Sequence, residues 1–228
     1  MSAEGSGAPP ADVELTPLRP GDVPALAAIH QRAFAGFFLA QLGEGFLREF
    51  YRGFVSDPSA VAVVARTPDG PVGAVVGTLQ PESFYGRLLR RRWHGFALAA
   101  AGAALRRPRT IPRLLRAVRY RGDSPVGLAD AALLASLCVD PSHAGVGVGG
   151  RLTRAWAERA AELGARRAYL ATDRDDNEGV NRHYQRHGWR LESTYTTPEG
   201  RRMNRYVTQL ADRPADAGTP TSGDQGAS

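Results

Sequence analysis

Two stretches of this 228-residue chain combine residue types at spacings that chemistry uses. The first is Cys138-Val139-Asp140-Pro141-Ser142-His143-Ala144-Gly145-Val146-Gly147-Val148-Gly149-Gly150-Arg151-Leu152, with four glycines in the six residues 145–150. An apolar strand ends at Pro141, the glycines let the backbone turn tightly, and an apolar-periodic helix follows at once. Such a loop aims unpaired N–H groups and the positive end of a helix at an anion, which makes it a phosphate cradle. A tight turn without a ligand has the same composition. No Lys-Ser/Thr pair follows the glycines, as a Walker loop requires, and Gly145-Val-Gly-Val-Gly lacks the GxGxxG spacing of a dinucleotide site. The second stretch runs Asn177-Glu-Gly-Val-Asn-Arg-His-Tyr184-Gln-Arg-His-Gly188-Trp189 and sets a tyrosine seven residues after an asparagine.

Other conspicuous residues read more plainly. His183 and His187 stand at i, i+4, a spacing that suits a metal, but no HExxH glutamate or third ligand accompanies them; two helix-surface histidines are expected and no metal. His143 is either a phosphate contact or a solvated turn residue. Phe34, Phe37 and Phe38 fall within five residues beside a glycine, as core or as a partly exposed wall. Tyr195, Met203 and Asn204 flank a hairpin near the end of the chain.

Elements must hold these residues in place. Val13–Leu18 alternates like an edge strand, and Asp22 is placed to cap a helix over Val23–Phe34. Phe46, Leu47, Phe50, Tyr51 and Phe54 recur at helical spacing. Ala60–Arg66 and Pro71–Leu79 are β-branched runs joined by Thr-Pro-Asp-Gly, a hairpin signal. A basic segment reads as two helices, the second carrying the apolar stripe Ile111, Leu114, Leu115, Val118. Then come strand Ala131–Val139, helix Leu152–Leu163 closed by Gly164, strand Arg167–Thr172, a short helix Asn177–His187, and a final pair, Trp189–Thr196 and Met203–Leu210. Hairpins first and strand–helix–strand units later predict a mixed α/β (α+β) domain on one sheet.

Composition bounds the rest. With 43% hydrophobic and 23% charged residues the chain has material for a real core, and its one cysteine, Cys138, can make no internal disulfide. The acidic, proline-containing start gives no signal-peptide pattern, and the run Trp93–Leu105 falls short of the roughly 18 apolar residues of a membrane span; a cytoplasmic location is expected. Net charge is +6, and all 29 basic residues are arginine. Eleven of them lie in the 40 residues Ser83–Gly122, which contain no acid, so the remaining chain, with eighteen arginines against twenty-three acids, is net −5. A protein-wide nucleic-acid footprint is therefore disfavoured. Membrane-surface contact through the arginine-rich insert is allowed by the charge but not favoured over a solvated cationic face, and a homodimer is compatible with the sequence.

Taken together and in this order, the two stretches resemble the GNAT N-acetyltransferase superfamily, whose motifs run Val-x-Pro-x-x-Arg/Gln-Gly-x-Gly-x-Gly/Ala and Asn-x6-Tyr-x3-Gly-Phe. The likeness covers about residues 12–210, with an insert over 81–128 and tails at 1–11 and 211–228 that lack apolar periodicity. It implies a single domain with a central, mostly antiparallel sheet of six or seven strands, flanking helices and a helical insert between the third and fourth strands. It implies acetyl-CoA as co-substrate, its pyrophosphate on the amides of Val146, Gly147, Val148, Gly149 and Gly150 and its pantetheine arm along the backbone of Leu137 and Val139, with Asn177 contacting the arm. Tyr184 matches the general acid of the family, and Phe34, Phe37 and Phe38 lie where the family builds its acceptor wall. The reaction implied is direct attack of a primary amine, on a small molecule such as an anionic or nucleotide-linked amino sugar, in a ternary complex; a non-catalytic acyl-CoA-binding module is the alternative. Ala144 stands where the family has Arg or Gln, and Leu133-Leu134-Ala135-Ser136-Leu137 lacks the strand carboxylate of some members, so Ser136, water, Glu82, His94 and Asp130 all stay open as proton acceptors.

Overall fold

The computed structural model describes residues 13–35, 42–106, 128, 130–198 and 200–210. Seven strands form one sheet in the order β1-β2-β3-β4-β5-β7-β6: β1 Glu14–Pro17, β2 Ala60–Thr67, β3 Gly70–Thr78, β4 Ala132–Val139, β5 Arg167–Asp173, β6 Arg190–Thr196 and β7 Arg202–Gln209. Every neighbouring pair is antiparallel except β4 and β5, which run parallel. The expected α/β class and helical insert between the third and fourth strands are present, and the sheet, expected with six or seven strands, has seven.

Helices cover both faces. On one, α4 (Val148–Glu162) lays Val148, Leu152, Trp156 and Ala160 against Val61, Val75 and Leu134. Trp156 is fully buried and its indole N–H donates to Val61 O at 3.0 Å, which satisfies the polar atom such a large side chain brings inside. The other face carries α1 (Val23–Ala33), α2 (Glu44–Ser56) and the insert helix α3 (Pro81–Arg106), whose Leu26, Ile29, Phe50, Phe54 and Phe84 pack on Val64, Ala74 and Val76. Along β4 the register to β3 slips between Leu134, opposite Gly77, and Ser136, opposite Val76, leaving Ala135 as a bulge. A one-residue insertion reverses which face each later residue meets. Leu134 accordingly belongs to the α4 side and Cys138 to the α1–α2 side.

Two local expectations change. Asp22 does not cap α1 with its side chain; the carboxylate accepts from the Arg19 amide at 2.9 Å and from Arg66 at 2.5 Å, and so ties the start of the helix to β2. The basic segment begins as one helix, α3, broken only at Arg92 (φ −123°, ψ 18°); its expected second helix around Ile111–Val118 lies outside the described residues. The insert is fastened by its own arginines. Arg87 donates from Nε and Nη2 to the two oxygens of Asp57 at 2.8 and 2.9 Å and to Ser59 Oγ at 2.7 Å, while Arg92 reaches Glu49 at 2.7 Å. Gly95 allows the close approach, since a Cβ there would lie 2.5 Å from Glu49 Cδ.

The Arg87 guanidinium beside Asp57 holds that carboxyl down at about 2. Because Asp57 is nearly inaccessible, Arg87→Ala is expected to lower unfolding free energy by about 2–3 kcal/mol at neutral pH. A carboxyl with a depressed folded pKa stabilises above its unfolded value and loses that contribution as pH falls towards 2. Denaturant unfolding of both proteins should therefore show the difference shrinking below about pH 4.

Candidate active site

The site begins where the sheet opens. β4 pairs with β5 only through Ala132–Ala168 and Leu133–Tyr169, after which β5 continues along β7 as far as Asp173–Met203. Beyond Leu133, β4 therefore has no strand on that edge among the described residues. The Asp140 amide turns the other way, to Val72 O on β3 at 2.8 Å. By the two-residue alternation of a strand, the N–H and C=O groups of Leu137 and Val139 point into the gap.

The glycine loop crosses the mouth of this gap. Its first turn, Pro141–His143, is fixed by Asp140, which accepts from the Ser142 amide at 3.1 Å and the Ser142 hydroxyl at 2.7 Å and pairs with Arg32 of α1. The Arg32 guanidinium lowers the Asp140 carboxyl to about 2, so this anchor is charged at neutral pH. Gly145 (φ 81°) and Gly147 (φ 87°) adopt the left-handed conformation that side chains resist, and α4 starts at the next residue. The Arg151 amide reaches Gly147 O at 3.2 Å, whereas the amides of Val148, Gly149 and Gly150 ahead of it find no main-chain acceptor among the described residues. Three free donors at the positive end of a fifteen-residue helix make a ready anion site. Val146 packs partly buried at the edge of the α4 core.

The second stretch folds over that helix end. Asn177 precedes α5 (Glu178–Arg186) and spends both amide hydrogens on Thr172 Oγ1 at 2.8 Å and Asp173 O at 3.0 Å, which leaves its Oδ1 for a ligand. Tyr184, on the buried face of α5, sits among His183, Trp189 and Tyr206 with ring centroids 5.2, 5.9 and 6.1 Å away. Burial pushes its phenol pKa well up, so the hydroxyl keeps its proton through the neutral range. The two histidines are not surface groups: both are half-buried on the first turns of α4. His183 Nε2–H donates to Thr153 Oγ1 at 3.0 Å, and Thr153 donates to Gly149 O at 2.9 Å. His187 Nδ1–H donates to His183 O at 2.7 Å, and a Cβ on Gly150 would come within 2.4 Å of His187 Nε2, so glycine is needed there for contact. Sequence spacing alone hid this packing because it needs the tertiary approach of α5 to α4. Among the described residues no group of three His, Cys, Asp or Glu is placed to hold a metal.

On the α1–α2 side of β4 lies a buried polar cluster that periodicity did not reveal. His30 Nδ1 meets the Tyr51 hydroxyl at 3.0 Å, the hydroxyl meets Cys138 Sγ at 3.2 Å, and Ser136 lies within range of the same oxygen. Ser136 is thus on the unpaired half of β4. Glu82 and Asp130 instead line a hollow with Leu163 and Gly164, at the opposite end of α4 from the glycine loop, and His94 stacks on Trp93 on the exposed side of α3. Phe34 is partly buried with its ring 4.7 Å from His30, while Phe37 and Phe38 lie outside the described residues.

The model of the acetyltransferase (GNAT) family matches residues 25–189. The chain belongs to that family. GNAT proteins are acetyl-CoA-dependent acetyltransferases, and the chain is accordingly an enzyme of that class. Solved structures share the GNAT fold at low identity. An acetyltransferase of the GNAT family from Desulfovibrio desulfuricans is 14% identical, with 87% of this chain and 99% of that one covered at a TM-score of 0.58. A chimeric spermidine N-acetyltransferase from Vibrio cholerae SpeG and hSSAT is 12% identical over 88% and 96% at 0.56, and the PaiA N-acetyltransferase of Thermoplasma acidophilum, solved with coenzyme A, is 14% identical over 86% and 98% at 0.53. No curated protein sequence matches the chain. The residues fit a GNAT coenzyme site on physical grounds: free amides at the start of α4, no side chain at Gly147, Gly149 or Gly150, and two strand residues with unpaired backbone groups.

Gly147→Ala in this acetyltransferase should cost about 1–2 kcal/mol of stability through its left-handed φ and weaken coenzyme A binding, read by thermal melting and calorimetric titration. Burial lowers His183 to about 4. The unfolded state takes up the proton near pH 6.5 and the folded state does so only near 4, so stability falls as pH drops through that window. His183→Gln should flatten the fall in urea unfolding midpoints between pH 7 and pH 4.

Proposed function

We propose that the enzyme transfers the acetyl group of acetyl-CoA directly to the primary amine of a small molecule in a ternary complex. The observation that supports this reading is that the first turn of α4 carries free amides beside the unpaired half of β4, while α5, which bears Tyr184, packs on that same turn through His183 and His187. The amides of Val146 to Gly150 hold the pyrophosphate, the backbone of Leu137 and Val139 pairs with the pantetheine arm, and Asn177 Oδ1 accepts from it. The loop relies on main-chain donors, so Ala144 at the usual Arg/Gln position weakens this hold without removing it.

As the amine nitrogen bonds to the carbonyl carbon and the carbon–sulfur bond breaks, Tyr184 donates to the departing sulfur. A thiol pKa of about 8.5 makes that help modest, and burial of the phenol favours donation of a hydrogen bond over lasting loss of its proton. The amine's surplus proton leaves through Ser136 or water; Ser136 is the open candidate that lies on the unpaired half of β4. Phe34 contributes to the acceptor wall. An anionic or nucleotide-linked amino sugar is the narrower acceptor suggested by the basic insert. Pairing of Arg87 and Arg92 to Asp57 and Glu49 removes two of its arginines from that task and weighs against it.

An amine panel containing peptides, polyamines and amino sugars with and without phosphate, assayed with acetyl-CoA, tests the reading. Tyr184→Phe should lower kcat about 10²-fold while coenzyme affinity stays within about threefold. Coenzyme binding with no transfer to any amine would sink it in favour of a non-catalytic acyl-CoA module.

A further inference from the structure

The arginines of α3 divide by direction. Arg87 and Arg92 turn inward and are spent on Asp57 and Glu49, and Arg91, one turn after Arg87, also reaches Asp57 at 3.9 Å. Beyond the kink at Arg92 the helix exposes Trp93 (57%) and Leu98 (77%), the two most exposed large hydrophobic residues among those described; five positions set them about 140° apart, at the two edges of an exposed arc that His94 and Ala97 fill, with Arg90 exposed just before it. His94 stacks on the Trp93 ring at 3.6 Å between centroids, so the indole is held out from the body as part of an ordered surface. Single exposed hydrophobic residues are ordinary on protein surfaces. These two lie within the 40-residue stretch that holds eleven arginines and no acid, in a chain whose remainder is net −5. Both other tryptophans, Trp156 and Trp189, are buried.

An indole and a leucine projecting beside arginines suit the boundary between phosphate headgroups and acyl chains, where the ring and methyl groups leave water while the guanidinium groups stay at phosphate level. A nucleic acid would meet the arginines and leave Leu98 in solvent. Among the described residues no helix is long and apolar enough to cross a membrane, so the contact is with the surface. We propose that the outer face of α3, bounded by Trp93 and Leu98 and preceded by the exposed Arg90, docks this acetyltransferase on anionic lipid bilayers.

The full chain mixed with vesicles of phosphatidylcholine alone, or of phosphatidylcholine with a quarter phosphatidylglycerol, gives the test. Sedimentation should show partition about tenfold stronger to the anionic vesicles, with most of it lost in 0.5 M salt. Tryptophan emission should shift blue and resist acrylamide on binding. Trp93→Phe should keep most of the binding and abolish the shift, because the other two tryptophans are already buried. The double variant W93S/L98S should partition about tenfold less while its melting temperature and its acetyl transfer to a soluble amine are unchanged. Failure of the wild type to partition, partition by the double variant equal to the wild type, or tighter binding to a single-stranded oligonucleotide than to vesicles overturns the proposal.

Discussion

The parting of β4 from β5 after two paired residues is the constraint on which the site depends. A strand in the middle of a sheet normally satisfies its backbone on both edges, and here half of a central strand does so on one edge only. The gap stays open because each strand is held from its other side: β4 follows β3 from Thr78 to Gly73, and β5 follows β7 over its whole length. Two halves of the sheet thus diverge, and the extended groove between them offers a strand's donors and acceptors to a chain-like ligand. A pantetheine arm, with its amides, is such a ligand.

The loop and α5 close the end of that groove, and their details follow from crowding. Gly150 has no room for a side chain because His187 occupies it, and Gly149 carries the carbonyl that Thr153 and His183 bind in sequence. The histidines thereby press α5 onto the first turn of α4, which carries Tyr184 to the same region as the free amides. Burial makes His183 hard to protonate, and the packing uses its neutral form. Arg32 and Asp140 hold the other end of the loop against α1. The start of α4 thus offers backbone donors and is braced by side chains whose own bonds are made within the protein.

Much of this was legible in the residues themselves. Hairpin chemistry at Thr67-Pro-Asp-Gly70, the apolar stripe of α2 and the glycine run before α4 each carry a local physical signal, and the corresponding elements formed within a few residues of expectation. What escaped depends on approach between distant segments. The Asp22 cap gave way to a partner 44 positions away, Arg66, and the Ala135 bulge has no mark in a sequence of small and apolar residues. His30, Tyr51 and Cys138 belong to three elements whose periodicity explains their burial but not their meeting. Four candidate proton acceptors looked equal in the sequence, and only the topology separates Glu82 and Asp130, at the far end of α4, from Ser136 beside the gap.

Charge shows the same dependence on context. A stretch with eleven arginines and no acid would repel itself as an isolated helix, yet α3 begins on a carboxylate-bearing surface that neutralises it at chosen points. Arg87 and Arg92 act as bolts, and their long apolar stems come down where Gly95 and Gly53 let the helices approach. The helix is thereby pinned on both sides of its kink at Arg92, and that pinning decides which residues are left outside. With the inward arginines spent on the body, what remains on the outer side among the described residues is an indole, a leucine and the guanidinium of Arg90. The balance of +6 over the whole chain is therefore a sum of two separate things, charge that builds the fold and charge that faces outward, and only the second is free to choose a partner.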